Sequence, residues 1–143
     1  MSDCEIVRLA RGWLGTPYAH QASLKGVGCD CLGLIRGVWR EAYGFEPETP
    51  PPYAPDWAEA GTEEVLLTAA RRHLIGIERD AIGPGAVLLF RWRPHLPVKH
   101  AAIAVSSDRM VHAQDGAAVS EVALTPWWHR RLSHAFRFPE CER

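Results

Sequence analysis

The hydrophobic pattern of this chain changes its period once, and that change constrains the fold more than any other feature. Before Gly83-Pro84-Gly85, apolar residues recur about every 3.6 positions, which is typical of amphipathic helices. After this segment they form short apolar runs separated by turn residues, which is typical of strands. Because no helix of length separates the runs, neighbouring strands should pair antiparallel. The sequence therefore predicts an α+β fold in which N-terminal helices pack on an antiparallel sheet of about five strands.

Three helices are predicted in the first part of the chain. They span residues 5–14, 31–42 and 62–74. Gly15-Thr16-Pro17 ends the first helix, because proline cannot continue the helical hydrogen-bond ladder. On the second helix, Gly33 and Gly37 lie four positions apart and permit close approach of another backbone. Thr62 is the expected N-cap of the third helix.

The second part of the chain contains the predicted strands. They span residues 86–92, 98–105, 110–113, 118–124 and 135–138. Between the second and third helices, residues 46–55 include five prolines, which favours an extended surface segment. No internal repeat is present, so residues 1–143 are expected to form a single domain.

Charge and composition exclude several classes of function. The chain is 47% hydrophobic and 23% charged with a net charge of −1, and it lacks the basic stripe that nucleic-acid binding requires. No apolar run approaches the ~20 residues needed to cross a bilayer, and the polar first residues do not resemble a secretory signal. We therefore expect no nucleic-acid partner, no membrane span and synthesis in the cytoplasm. The four cysteines are then expected to be free thiols.

Cys31 is the first candidate for chemistry, since it opens the second predicted helix. The helix dipole and unpaired backbone N–H groups favour a thiolate at such a position and lower the thiol pKa. Asp30, directly before it, is a good N-cap residue. Taken alone, however, the position suits a small buried hydrophobic residue better than a nucleophile.

Two histidines, His100 and His112, lie on neighbouring predicted strands. Residues 106–109 between these strands have a turn composition, so the strands should form a hairpin. A two- or four-residue loop would place the histidines on opposite faces, whereas a three-residue loop would place them on one face. On one face, His112 can orient the ring of His100, which completes the nucleophile, base and orienting residue of a cysteine hydrolase. The residues alone do not choose the loop.

Four motifs follow one another between residues 15 and 113. They are Gly15-Thr16-Pro17-Tyr18, Gly28-Cys29-Asp30-Cys31-Leu32-Gly33-Leu34, Pro84-Gly85-Ala86-Val87-Leu88-Leu89-Phe90, and the pair His100-Ala101-Ala102-Ile103 and Val111-His112-Ala113. In this order they resemble the motifs of the NlpC-type cell-wall cysteine peptidases. The resemblance implies a papain-like fold with Cys31 as nucleophile, His100 as general base and His112 as the orienting residue, and it favours the three-residue loop. Tyr18 corresponds to the family tyrosine near the cleft and Asp30 to the acidic residue before the nucleophile. With Leu32, these two are the candidates for contacts with the substrate or the oxyanion, and no cofactor is expected.

The resemblance also implies a substrate, the peptide stem of bacterial peptidoglycan. Such enzymes typically cut the γ-linked bond between D-glutamate and a diamino acid. Leu32 stands where relatives have a serine that lines the site for the residue preceding the cut, and Ala86 stands where they have an aspartate. Neither change removes a catalytic group, but Leu32 leaves the peptide preference open.

Three further segments look closer to one branch of this family, found in tail gene clusters of phages and gene transfer agents. They are the Cys29–Leu34 motif and residues 51–57 and 127–139. That likeness implies a tail-associated peptidase that aids wall penetration during DNA delivery. Its partners would be other phage-like tail or baseplate proteins, and it would act on the cell wall in the periplasm of the target cell.

Three alternatives remain beside this interpretation. Cys29, Cys31, His100 and His112 offer the atoms of a zinc site, although Cys-x-Cys is tighter than the usual ligand spacing. A structural tail-tip component would keep the fold without the activity. An amidase or acyl transferase would share the acyl-enzyme chemistry and differ only in the acceptor.

Overall fold

The computed structural model describes residues 2–46 and 64–139 and has the predicted α+β architecture. In chain order, the elements are α1 (Asp3–Arg11), β1 (Ser23–Leu24), β2 (Gly28–Cys29), α2 (Cys31–Tyr43), α3 (Val65–His73), β3 (Ile75–Ile77), a 3-10 turn (Arg79–Ala81), β4 (Ala86–Phe90), β5 (His100–Ala104), β6 (Arg109–His112), β7 (Ser120–Ala123), α4 (Pro126–Arg131) and β8 (Leu132–Arg137). Within these two ranges, no helix has the length and apolar character to span a membrane.

Six strands form one antiparallel sheet, in the order β3-β8-β4-β5-β6-β7. Strands β1 and β2 form a separate small hairpin. The main sheet has one strand more than the sequence predicted, because β3 was missed. Ile75 and Gly76 of this edge strand are both exposed, so it carries no buried alternation to detect.

The central strands are buried on both faces, and every residue of β4 and β5 is buried. One face packs on α1, α2 and α3 through residues such as Ala101 and Ile103. The other face, which includes Ala102 and Ala104, is covered by Trp128 of α4 and its neighbours. Side chains alternate along a strand, so His100 points to the α4 side of the sheet.

The predicted helices are present with shifted ends. α1 begins at Asp3 with Ser2 as its N-cap, earlier than predicted. The third predicted helix is found at Val65–His73, while its expected cap, Thr62, lies outside the described residues. The proline-rich segment lies outside them too, apart from Glu46, which pairs with Arg36 at 2.8 Å.

At Gly37 a side chain approaches α2, whereas the predicted backbone neighbour is found only at Gly33. A Cβ atom at position 37 would lie 2.0 Å from the indole of Trp13, which follows α1. Trp13 is 1% exposed. The contact fixes α1 against α2, which in turn carries the candidate nucleophile.

Candidate active site

Cys31 is the first residue of α2, as predicted, and Asp30 caps this helix. Oδ1 of Asp30 accepts a hydrogen bond from the Gly33 N–H at 2.7 Å, and Oδ2 accepts one from the Gln21 N–H at 2.7 Å. The aspartate is 4% exposed. It therefore positions Cys31 by joining the preceding loop to the helix start, and any contact with substrate stays a prediction.

The loop before β1 is held against the first turn of α2. The Asp30 N–H donates to the Ala22 carbonyl at 3.3 Å, and Ser23 Oγ donates to the Gly33 carbonyl at 2.6 Å. A Cβ atom at position 33 would lie 1.8 Å from the Ala22 oxygen, so only glycine fits there. The loop thereby fixes the orientation of the helix start.

The hairpin of β5 and β6 has the register that the family resemblance favoured. Ile103 pairs with Val111 and Ala104 with Met110, which leaves a three-residue loop at 106–108. His100 and His112 consequently share one face, with His100 Nε2 at 2.9 Å from His112 Nδ1. Each histidine is 3% exposed. The structure thus places His112, the predicted orienting residue, within hydrogen-bonding distance of the candidate base.

The Cys31 sulfur lies beside the start of β5. Strand β6 pairs with β5 only from Ile103 onward. Before that point, beside the backbone of His100, the Cys31 sulfur lies next to β5 instead. Sγ donates to the Lys99 carbonyl at 3.6 Å, and the Ala101 N–H lies within hydrogen-bonding reach of a thiolate there. The candidate nucleophile therefore contacts the backbone on both sides of His100. Within the described residues the two side chains are not hydrogen-bonded to each other.

The surroundings of Cys31 and His100 disfavour the charged form of each side chain. Desolvation, and then the charge of Asp30, raises the pKa of Cys31 to about 12, while three backbone N–H groups act in the opposite direction. Desolvation, and then His112, lowers the pKa of His100 to about 3, and desolvation lowers the pKa of His112 to about 4. The lowered thiol pKa predicted from the helix start is wrong for this state. The reason is that desolvation and Asp30 together outweigh the backbone N–H groups.

Tyr18 reaches the site through the strand that precedes the nucleophile. It forms a parallel bridge with Cys29, supported by hydrogen bonds from the Cys29 N–H to Pro17 at 3.0 Å and from the Ala19 N–H to Cys29 at 3.1 Å. Desolvation, followed by the charges of Asp30, Cys31 and other groups, raises its pKa to about 12. The phenol therefore keeps its proton and can act as a hydrogen-bond donor. Leu32, the departure noted in the sequence, packs partly buried against the core.

The sequence did not predict the aromatic rings around His100. Phe90 of β4, Trp92 and Trp128 have ring centroids 5.9, 5.3 and 5.5 Å from the His100 ring. Trp92 lies just beyond β4, and Trp128 lies on a helix of six residues. In the sequence, this segment was singled out by its resemblance to one branch of the family, and nothing in it predicted a contact with His100.

Two other interpretations are tested by the same geometry. Cys4, Cys29 and Cys31 are free thiols, as expected, while Cys141 lies outside the described residues. In the part of the chain that the structure describes, no group of three or more histidine, cysteine or acidic side chains is placed to hold a metal ion. Of the four residues considered as zinc ligands, Cys29 is fully buried and the two histidines are hydrogen-bonded to each other.

Comparison with known proteins agrees with this fold. Residues 15–137 match the NlpC/P60 family. Over 140 residues the chain is 25% identical to the gamma-DL-glutamyl hydrolase of Bacillus subtilis (strain 168), with 96% of this chain and 30% of that protein covered. The chain thus spans less than a third of the length of this relative.

Solved structures show the same fold. An NlpC/P60 family protein from Bacillus cereus ATCC 10987 superposes with a TM-score of 0.69 at 18% identity, covering 96% of this chain and 40% of that one. The NlpC/p60 domain of the peptidoglycan hydrolase SagA superposes with a TM-score of 0.65 at 22% identity, covering 96% of this chain and all of that domain. The family match covers most of the described residues, and the chain therefore belongs to the NlpC/P60 family.

Proposed function

We propose that this chain is a cysteine peptidase that hydrolyses the peptide stem of bacterial peptidoglycan. The observation that carries the proposal is the arrangement of Cys31 at a capped helix start, beside a buried His100 that is bonded to His112. A relative that is a gamma-DL-glutamyl hydrolase and a structural neighbour that is a domain of a peptidoglycan hydrolase support the substrate class.

Catalysis begins with proton transfer from Cys31 to His100. His100 Nε2 faces His112 Nδ1 at 2.9 Å, so Nδ1 is the nitrogen that accepts the thiol proton. The tautomer that allows this has the proton of neutral His100 on Nε2, donated to His112. The Cys31 thiol and the His100 imidazole are both neutral at rest, so proton transfer accompanies substrate binding. The thiolate attacks the peptide carbonyl as soon as the thiolate forms.

Two donors are expected to stabilise the oxyanion that results. The backbone N–H of Cys31 lies at the helix start, and the protonated Tyr18 hydroxyl is the second candidate. Protonated His100 then gives its proton to the leaving amine, and an acyl group remains on the sulfur. Water, deprotonated by His100, releases this acyl group and restores the thiol.

The bond that we propose is the γ-linked bond between D-glutamate and the following diamino acid. Support comes from the motif around Cys31 and from the glutamyl specificity in the name of the curated relative. Leu32 supplies an apolar side chain where family members have a serine, so the residue before the cut meets a different surface here.

We propose further that the protein acts from a phage-like tail particle during DNA delivery, with tail or baseplate proteins as its partners. Support for this role comes from the Cys29–Leu34 motif and residues 51–57 and 127–139. Electron microscopy of particles from the producing cells, with an antibody to this chain, tests it. Labelling confined to the cell wall of producing cells would contradict it.

The test of the peptidase is Cys31→Ala on purified peptidoglycan, with released muropeptides identified by mass. We expect the variant to release nothing while the parent releases fragments that end in D-glutamate. Cys4→Ala is the matched control, since Cys4 is an exposed thiol on α1 and should leave the rate unchanged. If Cys31→Ala digests the wall as fast as the parent, the proposal is wrong. A folded parent that releases nothing would favour the structural tail component instead.

A further inference from the structure

Trp128 contacts both histidines of the proposed site. Its ring centroid lies 5.5 Å from that of His100 with the planes 26° apart, and 5.3 Å from that of His112 with the planes perpendicular at 90°. The two histidine rings are themselves 5.1 Å apart at 80°. One indole therefore defines the planes of both rings that share the 2.9 Å hydrogen bond.

The indole is held firmly in this place. Trp128 is 9% exposed and packs with Leu124 and Leu132 against the α4 face of the sheet. The Phe90 ring meets it at 5.0 Å in an edge-to-face arrangement. Since the side chain is locked by this packing, it can in turn lock the two histidines and keep water from the bond between them.

The preceding residue of the helix, Trp127, has a different environment. Trp127 is 41% exposed, and the Arg131 guanidinium lies 3.6 Å from its ring centroid. Among the described residues, its ring contacts are with Trp92 and Trp128 and with neither histidine. Trp127 therefore provides a matched control with the same residue type in the same helix.

The proposed reaction forms a positive charge on His100, and the Trp128 ring lies where it can stabilise that charge. When His100 takes the thiol proton, an imidazolium forms in a buried site with little water to solvate it. The face of an indole attracts such a cation, and the attraction is stronger where water is excluded. Trp92, at 5.3 Å and 26° from the His100 ring, adds a second indole beside the same group.

We propose that Trp128 is a positioning residue of the peptidase. It fixes the planes of His100 and His112 and stabilises the imidazolium that His100 becomes, a role that rests on the proposed function. In this role it acts through the two histidine rings that it contacts. Its replacement should therefore lower kcat and leave KM nearly unchanged.

The experiment compares Trp128→Leu and Trp128→Phe with Trp127→Leu. We expect Trp128→Leu to lower kcat by about 10- to 100-fold with KM within about twofold. Trp128→Phe keeps an aromatic face and should lose less than about fivefold. Trp127→Leu should match the parent. Thermal unfolding of each variant checks that the protein is folded at the assay temperature.

A second readout needs no wall substrate and separates positioning from a general loss of structure. Iodoacetamide alkylates Cys31 when its proton passes to His100, the sulfur bonds to carbon and iodide leaves. Its rate is followed by peptide mass mapping near pH 7. When His100 is present, Trp128→Leu should slow alkylation of Cys31 about tenfold. In a His100→Ala background, the same substitution should have no effect on the alkylation rate. A substitution that merely disturbed the helix start would slow alkylation in both backgrounds.

The outcomes separate this inference from the proposed function. If the parent digests the wall and Trp128→Leu behaves like Trp127→Leu in both assays, Trp128 has no such role and the peptidase stands. If the parent does not digest the wall, the alkylation cycle with His100→Ala still decides the role of Trp128. Equal slowing with and without His100 would overturn the inference in either case.

Discussion

Gly33 lies in the first turn of α2, where the preceding loop contacts the helix. Because a Cβ atom there would lie 1.8 Å from the Ala22 carbonyl oxygen, Gly33→Ala must push the loop away or shift the helix start. We expect a loss of about 3 kcal/mol or more in the free energy of unfolding, measured by urea denaturation. The rate of Cys31 alkylation should fall with it, since the same contact orients the nucleophile.

Gly76→Ala is the control for this prediction. Gly76 lies in edge strand β3, its added Cβ would meet nothing within 4 Å, and its backbone is not in the left-handed region. It should change stability by well under about 1 kcal/mol. Equal losses for the two variants would show that the Ala22 contact is not the cause.

The positions of His100 and His112 could be predicted only in part from the residues themselves. Alternation along a strand predicts the face of His100, but the face of His112 depends on the length of the hairpin loop. That loop is closed by bonds between Ser106 and Asp108, and the Asp108 carbonyl accepts from the Leu124 N–H at 2.7 Å. Since Leu124 follows a different strand, the loop length is set partly by a tertiary contact. Only the family resemblance, which reflects that whole arrangement, favoured the right register.

At the scale of elements, the α2 start depends on Asp30 more than on helix propensity. Asp30→Ala removes the acceptor of two backbone N–H groups, from Gly33 and Gln21. We expect it to cost about 2–4 kcal/mol in urea denaturation at pH 7. Asp30→Asn keeps one acceptor oxygen and should cost about half as much.

Asp30→Asn should change the reactivity of Cys31 in the opposite direction to its effect on stability. The charge of Asp30 is the second cause of the raised pKa of Cys31. Asp30→Asn should therefore lower that pKa and speed alkylation of Cys31, although the variant is less stable. Slower alkylation in step with lost stability would mean that capping, rather than charge, governs the thiol.

The elements that the sequence predicted and those that it missed differ in burial and length. Strands β4 and β5 are buried on both faces, so they appear as continuous apolar runs between turn residues. α2 carries a full helical period over 13 residues. α4 has only six residues and β3 only three, too few for either period to show. The missed α4 is the element that covers the histidines, so the sequence indicated the candidate residues but not the aromatic side chains around them.

At the scale of the whole molecule, the buried histidine pair couples stability to pH. In the unfolded chain a histidine titrates near pH 6.5, whereas burial lowers the folded pKa of His100 to about 3 and of His112 to about 4. The unfolded chain therefore binds more protons below pH 6.5, and the folded protein loses stability as pH falls. The free energy of unfolding continues to fall until the pH reaches the pKa values of the two histidines in the folded protein. Cys31 and Tyr18 have raised pKa values and do not titrate in this range.

Between pH 7 and pH 5 we expect the free energy of unfolding to fall by up to about 2 kcal/mol for each of the two histidines. Urea denaturation at several pH values in this window measures the slope, and most carboxylates stay charged throughout it. The double variant His100→Gln/His112→Gln has no such groups to titrate and should give a much flatter profile, whatever its stability at pH 7. The lowered pKa of His134, which is only partly buried, persists in this variant and sets the residual slope. An unchanged slope in the double variant would mean that the pair is not held neutral by the fold. The resting state would then be a Cys31 thiolate paired with a His100 imidazolium, and not a neutral thiol beside a neutral imidazole.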